Sequence, residues 1–248
     1  MQVAAIYDIH GNLPALEAVL QEIRQARADL IVVGGDVVPG PMPREALVCL
    51  LDTGVPTRFI CGNGEVAVLE QMAGKEPASV PEQHRPLIRW TASQLQPDDE
   101  QLLRGWPKTL RLDVPGLGAV LFCHATPRSE NEIFTSQTAE DRLLPIFEGL
   151  GASVVVCGHT HMQFDRMLGK VRVVNAGSVG MPFGEPGADW LLLGSDVRLR
   201  HTAYDLKAAA DRIRATGYPQ AQDFAERNVL QPPSEEEMLK SFSRVELK

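Results

Sequence analysis

The stretch Val3-Ala4-Ala5-Ile6-Tyr7-Asp8-Ile9-His10-Gly11-Asn12 decides how the rest of the chain is read. An apolar run of strand length, residues 3–7, ends abruptly in Asp-x-His-Gly-Asn. Leu13, Leu16, Val19, Leu20 and Ile23 then fall on one face of a helix. The pattern recurs twice. Leu30–Val33 leads into Gly34-Gly35-Asp36 and a helix over 44–51, and the apolar run 57–61 leads into Gly62-Asn63-Gly64-Glu65. Strands alternating with helices predict parallel βαβ units and an α/β fold.

Residues 75–107 interrupt the alternation. Pro77, Pro81, Pro86, Pro97 and Pro107 punctuate them, with a helix expected over 86–95 and another after Asp98-Asp99-Glu100. Strands are expected at 110–114, 119–123 and 153–157, with a helix over 139–150 between the last two. From Met162 onward short strands joined by tight turns are expected. Gly169-Lys170 separates two of them, and Ser195-Asp196 links 188–194 to 197–204 as a hairpin. A helix over 206–215 follows, and Ser234 with Glu237 fits a capping box. The reading is one domain over 1–248, with a helical insertion near 75–107 and a C-terminal helical tail near 206–248.

The composition is that of a globular chain, with 44% hydrophobic and 23% charged residues in 248. That excludes a mostly disordered chain, a collagen-like fibre and a coiled coil. The net charge is 24 − 32 = −8, which disfavours general nucleic-acid binding but not phosphate chemistry at one cation-filled site. Cys49, Cys61, Cys123 and Cys157 form no C-x-x-C pair, so neither a disulfide framework nor a structural zinc site is expected. No apolar stretch reaches the ~20 residues of a membrane span, and no basic leader precedes Val3. A cytoplasmic protein is expected. Oligomeric state is not readable.

The residues that terminate the apolar runs carry the chemistry. Asp8, His10, Asp36, Asn63, His124, His159 and His161 lie at five strand ends, where sites assemble in open α/β sheets. On an extended backbone, residues i and i+2 point the same way, so Asp8 and His10 are expected to grip one ion together, as are His159 and His161 on a sharper turn. Carboxylate, imidazole and amide oxygen suit divalent Mn, Fe, Zn, Ni or Mg. Seven ligands exceed the needs of one ion, which points to two ions sharing a bridging carboxylate, ~3.5–4 Å apart. Simpler readings exist for several residues. Asp8 and Asp36 also suit turns, and Asn63 suits a tight turn between two glycines. Asn12 is read as the cap of the first helix, and Glu65 as a first-turn helix acid. Asn175-Ala176-Gly177-Ser178 is read as a turn close to the site. Arg128 is a candidate phosphate contact or a solvated loop residue. Arg44 is read as a helix-surface residue, and His84 and His201 as surface or packing residues.

In order and in gaps, Asp8-x-His10-Gly11-Asn12, Gly35-Asp36-x-x-x-Gly40, Gly62-Asn63-x-Glu65, His124 and Gly158-His159-x-His161 resemble the calcineurin-like metallophosphoesterase superfamily. The resemblance spans most of the chain. The Asp-Ile-His-Gly-Asn start, Gly40-Pro41 and the run from Val174 to Gly180 are similar to its small prokaryotic phosphodiesterase-like branch. The resemblance implies a four-layer αββα sandwich, two packed mixed sheets flanked by helices. It also implies that Asp8, His10 and His161 hold one metal, that Asn63, His124 and His159 hold a second, and that Asp36 bridges. A hydroxide between the ions would attack phosphorus of a small phosphomonoester or phosphodiester. Two departures stand out. Gly64 occupies the position where the family usually has a histidine that assists the leaving group, and Tyr7 stands where a small residue is common. Because of Gly64, a metal- or phosphate-ligand-binding protein with little catalysis is the alternative.

Overall fold

Ten strands form two five-stranded sheets in the structure, a computed structural model that describes residues 1–247. The first sheet has the order β10-β9-β1-β2-β3, with β1 (Val3–Ile6), β2 (Leu30–Val33), β3 (Thr57–Phe59), β9 (Ala188–Leu193) and β10 (Val197–Thr202). The first three are parallel, and the β9–β10 hairpin pairs antiparallel against β1. The second has the order β4-β5-β6-β8-β7, with β4 (Thr109–Val114), β5 (Gly118–Cys123), β6 (Val154–Cys157), β7 (Phe164–Leu168) and β8 (Val171–Asn175). Here β5, β6 and β8 are parallel while β4 and β7 run against their neighbours. Both sheets are mixed, as the resemblance implied.

Alternation along the strands explains the layers. In β1 and just beyond it, Val3, Ala5 and Tyr7 pack between the sheets, and Ala4 and Ile6 face the helices. In β6, Val154 and Val156 point inward, and Val155 and Cys157 outward. The first sheet is covered by α1 (Leu13–Gln25), α2 (Pro43–Leu51) and α3 (Asn63–Met72), the second by α6 (Glu140–Phe147). Asn12 caps α1 as expected, its Oδ1 accepting from the Ala15 N–H.

The insertion forms α4 (Arg85–Gln94) and α5 (Pro97–Arg104). The tail forms α7 (Leu206–Arg214), a short α8 (Ala221–Phe224), a π-helical turn (Ala225–Leu230) and α9 (Glu235–Phe242). Sequence periodicity did not reveal α3, α8 or the π-helical turn. Insertion and tail meet each other, with Trp90 edge-on to Tyr218 at a ring separation of 5.2 Å. The Ser234–Glu237 capping box forms at the start of α9. No helix among the described residues is long and apolar enough to cross a membrane.

Tyr7 has a structural reason. A Cβ on Gly34, just after β2, would lie 1.9 Å from its ring, and one on Gly158, just after β6, 2.5 Å from it. The ring occupies the space these two glycines leave, and its hydroxyl donates to the Val156 carbonyl at 3.1 Å. One residue of the first sheet is thus keyed to both sheets directly beneath the strand ends.

Candidate metal centre

The expectation of an extended backbone through Asp8 and His10 is incorrect. Asp8 (φ 52°) and His10 (φ 48°) are left-handed, as are Asp36 (φ 53°), His159 (φ 67°) and His161 (φ 58°). Such conformations cost ~1–3 kcal/mol each in non-glycine residues and persist where the surroundings over-determine them. The surroundings here do so through hydrogen bonds. The N–H of Asp8 donates to Gly35 O (3.1 Å) and that of His10 to Asp36 O (2.9 Å), while Asp8 O accepts from Gly180 N–H and the Ser178 hydroxyl. The ligand-type side chains are aimed by left-handed turns, not by strand pleat.

All seven predicted residues come together. Each of three histidines turns one ring nitrogen to a carbonyl: His10 Nδ1 to Pro39 O (3.1 Å), His124 Nδ1 to Gly34 O (2.9 Å) and His161 Nδ1 to Met181 O (2.9 Å). A carbonyl only accepts, so each Nδ1 carries the proton and each Nε2 is the nitrogen turned inward. Those inward nitrogens crowd the two aspartates. His161 Nε2 is 3.3 Å and His124 Nε2 3.8 Å from Asp8 Oδ1, and Asp36 reaches His124 through Oδ1 (3.6 Å) and His10 through Oδ2 (3.8 Å). Asn63 Oδ1 lies 2.9 Å from His124 Nε2, and the His159 ring packs edge-on to that of His124. The ligand-type atoms fall into two groups, Asp8–His10–His161 and Asp8–Asp36–His124.

Two buried atoms in this cluster lack a hydrogen-bond partner among the described residues, Asp8 Oδ1 and His159 Nε2. A buried carboxylate oxygen and a buried imidazole nitrogen left bare cost free energy, and each is an atom type that ligates divalent metals. Two lone inward nitrogens 3.2 Å apart, on His10 and His161, are equally unsatisfied by each other unless a proton or a cation lies between. The residues present fit divalent ions. Burial and the neighbouring imidazoles shift the site's protons accordingly. Burial raises the Asp8 carboxyl, but His161, His124 and His10 hold it well below the usual range. Burial and His124 push His159 down to about 4, and burial and His161 lower His10, so both are neutral and able to ligate at neutral pH.

The chain matches the family model for the calcineurin-like phosphoesterase superfamily domain over residues 1–195. The chain belongs to that superfamily. A metallophosphoesterase from Sphaerobacter thermophilus has a similar structure, with a TM-score of 0.71 and 25% identity over 91% of this chain and 97% of that one. A hypothetical protein of Pyrococcus horikoshii OT3 shares the fold with a TM-score of 0.79, at 20% identity over 94% of this chain and 99% of that one. An uncharacterised protein of Methanocaldococcus jannaschii is 27% identical over 88% of this chain and 94% of its own length. Membership in the superfamily and the two groups of ligand-type atoms together identify a divalent-metal site.

Two features of this superfamily member depend on Glu65, which the sequence suggested only as a first-turn acid. Its carboxylate is fully buried and accepts from four backbone N–H groups, those of Gly62, Asp36, Val37 and Val38. It therefore starts α3 and shapes the Asp36 turn at once. Burial and the Asp36 charge push it up to about 7. The four donors favour the ionised form that accepts them all. Asn175 plays a similar part for the other turn, donating to Gly158 O (2.7 Å) and accepting from Gly177 N–H. Gly64 donates its N–H to Asp36 Oδ1 at 2.7 Å. Arg128 is exposed and engaged with Glu132 through Nε and Nη2 (2.9 and 2.6 Å). Arg44 pairs with Asp99, in keeping with a helix surface, and His201 pairs with Asp189 at 2.8 Å.

Proposed function

We propose that the protein is a binuclear metal-dependent phosphoesterase of small phosphorylated substrates, with Asp8, His10, Asp36 and His161 around one ion and Asp36, Asn63, His124 and His159 around the other. The observation that carries this reading is the pair of ligand-type groups that share Asp8, with Asp36 reaching His10 and His124 and with Asp8 Oδ1 and His159 Nε2 buried without a hydrogen-bond partner among the described residues. When bound, two divalent ions supply Lewis acidity toward phosphoryl oxygens and lower the pKa of water. The chain supplies orientation. Three carbonyls fix which nitrogen of His10, His124 and His161 is free, and Gly64 N–H and the Glu65-held turn fix Asp36. Water is restricted by the buried walls, with His124 at 1% exposure and Asp8 at 0%. The net charge of −8 supports a small substrate rather than a nucleic-acid backbone.

Elemental analysis after reconstitution with Mn²⁺, together with a panel of nitrophenyl monoesters and diesters, tests the reading. Near two equivalents of metal and turnover of at least one ester are expected. Saturation at one equivalent, unaffected by His124→Ala, would overturn the two-ion assignment. Two equivalents bound with no ester turned over would favour a ligand-binding role, a reading that Gly64 supports because it offers no side chain to protonate a leaving group.

A further inference from the structure

A cavity of about 280 Å³ opens beside the metal centre, and His10 forms part of its wall. Its other walls come from the two appendages of the fold. Leu87, Ile88 and Thr91 of α4 line it together with Tyr218 and Phe224 of the tail and Met181. An engineered apolar cavity of about 150 Å³ holds a benzene ring, so this one has room for a two-ring heteroaromatic group. Tyr218 is itself edge-on to both Trp90 (5.2 Å) and Phe224 (6.1 Å), giving an aromatic wall that is already packed in place.

The cavity is also joined to the ligand cluster. Pro39 and Met181, whose carbonyls orient His10 and His161, both line it. An organic group seated there would hang from a phosphate at the metals.

The polar groups narrow the chemistry. The Thr91 hydroxyl is buried and has no hydrogen-bond partner among the described residues. The amides of Gln220 and Asn228 and the carboxylate of Asp223 also line the cavity. A hydroxyl and carboxamides around an aromatic wall match the ring edges and flat face of a nucleobase, which is read by stacking and by hydrogen bonds at its rim. No lysine or arginine lines the cavity among the described residues; His84 and the carboxylate of Asp223 do, so its lining carries no permanent cation for a second phosphate. We propose that this cavity receives the base of a nucleoside phosphoester whose phosphate lies at the metal centre. The proposal rests on the phosphoesterase reading above.

Two measurements test it. The first compares thymidine 5′-(p-nitrophenyl) phosphate with methyl p-nitrophenyl phosphate on the Mn²⁺-reconstituted protein. Both release the same nitrophenolate, so the ratio of their kcat/KM values isolates the nucleoside. A ratio of roughly tenfold or more is expected, the size of one base–aromatic stack. It should fall several-fold in Thr91→Val and toward one in Tyr218→Leu. Thr91→Val breaks no internal hydrogen bond, so it should fold as the natural chain does. The second measurement needs no turnover. Adenosine, guanosine, cytidine and thymidine are titrated against metal-free protein and followed by isothermal calorimetry, with ribose 5-phosphate as control. At least one nucleoside should bind, and more weakly in Thr91→Val. Turnover of the methyl ester with no nucleoside advantage overturns the base pocket and leaves the phosphoesterase reading standing. Nucleoside binding without turnover of either ester does the reverse. Binding no better than that of ribose 5-phosphate, or binding indifferent to both substitutions, also overturns the pocket.

Discussion

At the scale of single residues, Asp36 and Gly64 act as a unit. Asp36 is within 4 Å of ligand nitrogens on both sides, so Asp36→Asn is expected to weaken both ions where a change at Asn63 or at one histidine weakens one. Metal content after dialysis measures this; wild-type content in Asp36→Asn beside a loss in His10→Ala would show that the bridge lies elsewhere. Gly64 lies in α3, and its φ is not left-handed, so a backbone preference does not explain it. Space does. A Cβ there would lie 2.4 Å from Pro39 Cγ and 2.8 Å from Asp36 Oδ1. Even Gly64→Ala is expected to displace Asp36 and lower metal affinity, read by the same dialysis. A histidine at this position would therefore disturb the site before it could donate a proton. On the phosphoesterase reading, the natural chain should accordingly show a steep dependence on leaving-group pKa, with alkyl esters slower than nitrophenyl esters by up to the ~10²–10⁴-fold of general acid catalysis. A flat dependence across an ester series would locate a proton donor elsewhere.

At the scale of elements, the start of α3 and the turn after β2 are one construction, because four N–H groups from both converge on Glu65. Glu65→Gln turns an amide NH₂ toward those donors. It should cost about 1–3 kcal/mol of stability and reduce metal occupancy without removing a ligand, measured by denaturant unfolding and elemental analysis. Unchanged occupancy would mean that the turn holds without its anchor. Elements of this kind mark where sequence reading ends. The strands were legible because their apolar runs are short and their ends chemically abrupt, and all seven ligand-type residues were legible because their types and gaps are unusual. The left-handed turns that aim them were not legible, since Asp and His in series read equally well as extended chain. Glu65 read as an ordinary helix-start acid because nothing in Gly-Asn-Gly-Glu shows that a second loop will close over it. The cavity was invisible for a related reason: its walls lie more than a hundred residues apart, in two segments that read only as a helical insertion and a helical tail.

At the scale of the whole molecule, the metal centre is also a clamp. Asp8, Asp36 and Asn63 follow strands of one sheet, while His124, His159 and His161 follow strands of the other. Ions that bind only this assembled set stabilise the native state by mass action, by ~2.7 kcal/mol at a hundred times Kd. Thermal melting should shift upward with Mn²⁺ and back with a chelator, and a melting curve indifferent to both would separate the site from stability. The keying of Tyr7 between Gly34 and Gly158 has a kinetic corollary. The ring can settle only when both sheets have closed around it, at the level just beneath the ligands. Pairings this distant along the chain are the slow ones in folding. Uptake of metal thus becomes a clock for the last act of folding, starting only when the halves of the sandwich have found each other.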